Sequence, residues 1–228
     1  AIAALAAAAL AGAKEVVQLG TDYQQATNQL SAQTGATGQE LEELGGIAQE
    51  VYRNNFGDSI SDVNEALATT RTNTGLMGEE LRKATESGYL LRDTFGMDFS
   101  ESSRAASALM QKFGISSEKA YNLIAIGAQK GANRNGDLLD VLSEYAPKYA
   151  EMGLSADDMM NMLIEGAENG VFQIDKVGDA VKEFSIRAID GSDTTKEAFE
   201  ALGLSASGVS AELAAGGPQA RDAFLQVV

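Results

Sequence analysis

The phrase Phe113-Gly114-Ile115-Ser116-Ser117-Glu118 returns thirty-nine residues later as Met152-Gly153-Leu154-Ser155-Ala156-Asp157, and each copy opens a run with helical periodicity. A fixed period of this length commits a chain to stacked helical units, each of which buries its apolar face against a neighbour. The phrase itself has a mechanism. Glycine takes the left-handed conformation that ends a helix, the apolar residue after it folds back on the last turn, and serine caps the next helix. Gly114 with Ser116, Gly153 with Ser155 and Gly203 with Ser205 are therefore expected to be helix-to-helix corners.

The echo extends well beyond the phrase. Gly114 to Gly131 aligns with Gly153 to Gly170, matching Ser116/Ser155, Asn122/Asn161, Gly127/Gly166 and Ala128/Ala167, and it runs on to Tyr145/Phe184. In the front half, Gln33-Thr34-Gly35-Ala36-Thr37-Gly38-Gln39-Glu40-Leu41 returns forty residues later as Asn73-Thr74-Gly75-Leu76-Met77-Gly78-Glu79-Glu80-Leu81. Apolar stripes such as Leu138, Val141, Leu142, Tyr145 and Tyr149 fall on single helix faces. Helices are expected at 2–33, 38–54, 60–72, 78–94, 100–112, 116–129, 136–150, 155–168, 174–189, 194–202, 205–215 and from 218. Thr37 with Glu40 and Thr194 with Glu197 have capping-box spacing. Pro147 should kink or restart its helix.

The expected fold is all-α, built of short helices in repeated hairpins behind an Ala-rich N-terminal helix. Its divisions are residues 1–33 for that helix, 34–112 for a first pair of units, and 113–228 for a second pair with the C-terminal helices. Two prolines, no tryptophan and an abundance of Ala and Glu favour helix over sheet.

Composition also removes several kinds of chemistry. There is no cysteine for a disulfide or thiolate site and no histidine, the commonest general base and metal ligand. No phosphate-cradling glycine motif is present. The runs Asp190-Gly191-Ser192-Asp193-Thr194 and Asn133-Arg134-Asn135-Gly136-Asp137 lack the ligand alternation and closing Glu of a calcium hand and read as turns and caps. No catalytic residue, cofactor or metal ligand is implied. Met152, Met159, Met160 and Met162 gather around one helix, and both a packed core and a partner-facing patch suit the adaptable thioether.

Residues 1–13 carry no charge, and the first residue is not Met, so the chain reads as a piece of a longer one. This stretch suits a packed or self-associating helix, with Ala3, Ala7 and Gly12 as a small-residue face. The tail end of a membrane-inserting segment is the other reading, and it leaves host membrane contact open.

The run Asn135-Gly136-Asp137-Leu138-Leu139-Asp140-Val141-Leu142-Ser143-Glu144-Tyr145, then Met152-Gly153-Leu154-Ser155-Ala156, Asp175-Lys176-Val177-Gly178-Asp179-Ala180-Val181 and Asp190-Gly191-Ser192-Asp193-Thr194-Thr195-Lys196-Glu197-Ala198-Phe199, resembles the tail tape measure proteins of long-tailed bacteriophages and prophages. Thr34-Gly35-Ala36-Thr37-Gly38 and Tyr52-Arg53-Asn54-Asn55-Phe56-Gly57 are similar to the same family's minor tail region. The resemblance covers residues 20–228, with Met77 in place of the Thr at the equivalent cap and Pro147 inside a helix as departures. It implies a non-enzymatic virion protein in the lumen of the tail, assembled in the host cytoplasm. Such a protein fills the tail tube, sets tail length during assembly and leaves during DNA ejection. The implied partners are other copies in a parallel homo-oligomer, with a trimer as the first expectation, and the tail tube and tip proteins. As one straight helix, 228 residues would span roughly 340 Å, but the glycine stops make this region a compact module. The rival reading is a soluble helical-repeat scaffold or assembly chaperone of a phage-like injection machine.

Seventeen basic residues against thirty-three acidic leave a net charge of −16, which repels phosphate backbones. Sequence-specific nucleic-acid binding is therefore not expected. A gel-shift titration with duplex DNA at low salt should show no retention; micromolar binding that weakens with salt would overturn this reading.

Overall fold

The computed structural model of the chain describes residues 25–228. Among them are twelve helices and no strand, so the fold is all-α. The described part of α1 covers 25–34. There follow α2 (Gly38–Arg53), α3 (Ile60–Thr74), α4 (Gly78–Phe95), α5 (Phe99–Phe113), α6 (Ser117–Gln129), α7 (Leu138–Glu151), α8 (Ala156–Glu168), α9 (Asp175–Arg187), α10 (Asp193–Ala201), α11 (Ala206–Ala215) and α12 (Gly217–Val227). Ala3, Ala7 and Gly12, with most of the helix expected over 2–33, lie outside the described residues.

One register of glycines punctuates this order. Gly35, Gly75, Gly114, Gly153 and Gly191 follow α1, α3, α5, α7 and α9, at spacings of 40, 39, 39 and 38 residues. All five have φ between 65° and 72°, where a side chain would cost about 1–2 kcal/mol. The front and back echoes of the sequence are thus parts of a single period.

Contacts divide the chain into two compact units, with the boundary between Asp93 and Thr94. In the first, α2 and α3 form a packed hairpin, with Leu44, Val51, Val63 and Leu67 removed from solvent. Burying each such side chain contributes about 1.5–3 kcal/mol. Polar links fasten the helix ends. Arg71 of α3 pairs with Glu40 in the first turn of α2. Arg82 of α4 binds Glu79 at 2.5 Å and Glu86 at 2.7 Å, and reaches Glu50 of α2 at 3.6 Å. The Tyr89 hydroxyl donates to Asp62 of α3 at 3.1 Å, and the Arg92 guanidinium sits 4.5 Å from the centre of the Tyr89 ring.

The joints after α1 and α3 agree atom for atom. Thr34 Oγ1 donates to the Leu30 carbonyl and Thr74 Oγ1 to the Thr70 carbonyl, both at 2.6 Å. The same hydroxyls accept from the Ala36 and Leu76 amides at 3.2 and 3.3 Å. Gly38 and Gly78 then open α2 and α4 with φ of 57° and 56°. Met77 leaves this geometry intact because Thr37, its counterpart, makes no side-chain cap bond. The capping box expected of Thr37 and Glu40 is accordingly absent, since Glu40 is held by Arg71.

In the second unit the most extensive helix contact is α5 on α7. The buried face of α5 is mostly small, with Ser102, Ser103, Ala105 and Ala106 beside Leu109, so the larger α7 face of Leu138, Val141, Leu142, Tyr145 and Tyr149 can approach closely. Further pairs are α5 with α6, α7 with α9, α6 with α8, and α11 with α12. Pro147 does not restart α7, which runs through it from Leu138 to Glu151. Burial of Tyr145, Ala146 and Tyr149 around the proline opposes a helix-breaking cost of about 3 kcal/mol. At α10 the cap is Ser192, two residues before Thr194, and it accepts from the Thr195 amide, so the capping box expected of Thr194 and Glu197 does not form.

Two buried tyrosines on α7 differ in one bond. Tyr145 donates its hydroxyl to Asp175 of α9 at 2.9 Å, whereas the Tyr149 hydroxyl is buried without a partner among the described residues. Burial pushes the phenol pKa of both upward, and for Tyr145 the bond to Asp175 adds to it. Tyr145→Phe should cost about 1–2 kcal/mol, and Tyr149→Phe should be neutral or stabilising. Urea melts of the two variants check this; equal losses would refute it.

Candidate functional site

The repeated corners are the features whose geometry sets this chain apart. Gly114 closes α5 with φ 65° and its N–H donates to the Met110 carbonyl, while Ser116 caps α6 by accepting from the Lys119 amide at 3.2 Å. Gly153 has φ 72°, Leu154 folds back so that its N–H reaches the Tyr149 carbonyl at 3.0 Å, and Ser155 caps α8. Gly203 has φ 73°, Leu204 bonds back to the Phe199 carbonyl at 2.9 Å, and Ser205 caps α11. The Ser155 cap is a full capping box. Its hydroxyl accepts from the Asp158 amide at 3.0 Å, and the Asp158 carboxylate accepts from the Ser155 amide at 2.9 Å. The Ser155 amide first, then the Ser155 hydroxyl, which donates to the same carboxylate, and Arg221 hold the Asp158 carboxyl below the usual carboxylate range. Lys119 of α6 and Asp157 of α8 tie the first two corners together at 2.5 Å.

The corner at Gly153 is also a docking point within the chain. The carbonyl of Gly217, at the start of α12, lies so close that a Cβ on Gly153 would collide with it, and a Cβ on Gly114 would meet nothing within 4 Å. Arg221 of α12 reaches Asp158 at 3.4 Å, and Phe224 packs edge-on against Phe184 of α9 with ring centres 5.3 Å apart. Gly216 and Gly217, with φ of 70° and 61°, make the turn that lays α12 in this position. Sequence reading missed this contact. Its signal is the Gly216-Gly217-Pro218 start of α12, which announces a helix but not where it docks.

The methionine cluster is core. Met152, Met159 and Met160 are 3%, 0% and 1% exposed, and only Met162 is half-exposed. Met160 fills the space beside Gly127 of α6, where any side chain would strike its sulfur. A partner-facing thioether patch of all four is therefore ruled out by packing, because three of them fill the seam where α8 meets its neighbours.

A groove of about 470 Å³ lies between α10 and α11, lined by Thr195, Lys196, Glu200, Leu204, Ser205 and Ser210. Its hydroxyls are committed to helix ends: Thr195 donates to the Arg187 carbonyl, Ser210 to the Ala188 carbonyl, and Ser205 accepts from the Gly208 amide. Lys196 pairs with Asp193 at 3.2 Å. Among the described residues no three carboxylates converge as a metal site would require, and no helix is long and apolar enough to cross a membrane.

A repeat of helical hairpins closed by its own glycine corners, with its polar groups engaged in caps and ion pairs, is a structural module. The profile of the phage-related minor tail protein family matches residues 52–228, and the chain belongs to that family. Its place is thus structural, in the tail of a phage particle. A probable tape measure protein of Streptomyces phage phiC31 is 32% identical over 147 residues, which are 64% of this chain and 20% of that protein. The matched part of that relative is thus about a fifth of its length. No solved structure matches.

If α12 docks through Gly153, alanine there should cost more than alanine at Gly114. Gly114→Ala should lose about 1–2 kcal/mol from left-handed strain, and Gly153→Ala should lose more because the Gly217 backbone must also move. Denaturant melts of both variants measure the difference; equal losses would show that α12 does not depend on this corner.

Proposed function

We propose that this chain is a folded module of a tape measure protein, a non-enzymatic component that occupies the tail lumen and leaves it during DNA ejection. The identity with the phiC31 protein carries the reading. The physical character of the chain supports it. Helices of 9 to 18 residues, joined by left-handed glycines, form units that open locally at low cost. A surface of net charge −16 does not retain passing DNA. Length is set by extended parts of the parent protein and not by this compact region. Copies associate in parallel, with three as the proposed number, through the uncharged N-terminal stretch, which also supplies any host membrane contact. The tail tube and tip proteins surround them.

In a phage that carries this chain, an uninterrupted helical insertion beside the module should lengthen the tail by about 1.5 Å per residue. Deleting the same number of residues from within the module should shorten it by less. Electron microscopy of purified tails gives both lengths. An unchanged tail after the insertion would refute the length-setting role, and absence of the chain from mature particles would favour an assembly chaperone.

A further inference from the structure

Asparagine followed by glycine is chemically labile, because the glycine amide meets no side chain of its own as it approaches the asparagine carboxamide. The chain holds two such pairs, Asn135-Gly136 and Asn169-Gly170, and the fold treats them differently. Asn169 closes α8 with φ −84° and ψ 11°, and its side-chain amide donates to the Glu165 carbonyl at 2.8 Å. At that ψ the next amide nitrogen is turned away from Cβ, whereas attack on the side chain needs the two eclipsed. Turning it back would break the bond from the Val171 amide to the Gly166 carbonyl, at 2.9 Å, that closes the joint. Asn135 lies exposed in the loop between α6 and α7, where its side chain makes no hydrogen bond among the described residues. Gly136 after it has φ 76°, and a Cβ there would meet nothing within 4 Å. The Gly136 amide is held by a bond to the Asn133 carbonyl at 3.1 Å.

We propose that Asn135 is a site of spontaneous covalent modification, with water as the co-reactant, that ages this module. Once the Gly136 amide leaves the Asn133 carbonyl, its nitrogen loses a proton and attacks the side-chain carbonyl carbon of Asn135. A C–N bond forms, the Cγ–Nδ2 bond breaks, and ammonia departs with the proton, leaving a five-membered succinimide. Water then opens the ring. Cleavage of the new C–N bond gives aspartate at this position, and cleavage of the original peptide bond gives isoaspartate, in which the chain runs through the side-chain carbon. Nothing is oxidised or reduced. The position gives the change a consequence. Asn133 Oδ1 accepts from the Leu138 amide at 3.3 Å and so bridges the loop across Asn135. Leu138 opens α7, on which both α5 and α9 pack. Isoaspartate inserts an extra backbone atom beneath that bridge and loosens the entry of α7, whereas aspartate adds only a surface charge. The chemistry does not depend on the place of the chain in the tail.

Incubation of the 228-residue chain at mildly alkaline pH, followed by peptide mapping with mass spectrometry, tests the proposal. In the folded chain the exchange of ammonia for water should accumulate at Asn135 several-fold faster than at Asn169. In concentrated urea, where neither pair is held by the fold, the two rates should converge. Asn135→Gln should suppress the reaction at this position, because its ring would need an additional atom. Aged protein rich in isoaspartate should melt below the parent, and the Asn135→Asp variant, which carries the charge on an unaltered backbone, should melt like the parent. Equal rates at the two asparagines of the folded chain, a lead of Asn135 that persists in urea, or isoaspartate protein that melts like Asn135→Asp would each overturn it.

Discussion

The left-handed glycine that follows most of the helices is the constraint on which this structure depends. It turns the chain back within three or four residues, and it lets the next amide satisfy a carbonyl of the finished helix that would otherwise stay unpaired. Because the turn recurs at 39 to 40 residues, α1, α3 and α5 end on the same joint, with the N–H of Gly35, Gly75 and Gly114 returned to the carbonyl four residues back. Packing then follows from register: Gly127 faces Leu138 as Gly166 faces Val177, each pair thirty-nine residues from its counterpart.

Polar groups in this protein serve mainly to hold helix ends. Asp62 and Asp175 occupy first turns of α3 and α9, and each accepts a hydrogen bond from a tyrosine of another helix. A cation lies over each of those tyrosine rings, Arg92 at 4.5 Å and Lys182 at 5.5 Å. Both units thus use one fastening made of aromatic ring, carboxylate and cation, although the residues come from different places in the period. Such fastenings suit a structural component of a phage tail.

The limits of this stability are equally local. The C-terminal helix packs on α11 and is laid against Gly153 by a double-glycine turn, with one ion pair and one ring contact fastening it to α8 and α9. A module assembled from such separately fastened pieces can be taken apart in steps, a property that suits the proposed departure from a tail lumen.

Much of this was legible in the sequence. Corner glycines, serine caps and apolar stripes act over a few residues, so the helices from α2 to α12 and the buried face of α7 could be read from spacing alone. Contacts between distant residues were not legible. Glu40 has the spacing of a capping box, but Arg71, thirty-one residues away, claims its carboxylate. Pro147 predicts a kink or a restart, and α7 does not restart there; three of the four clustered methionines enter the core, Met160 where Gly127 leaves room for it. The docking of α12 on Gly153 likewise depends on where two backbones meet. Local geometry was set by the order of residues, and the choice among competing partners was made only when the helices packed.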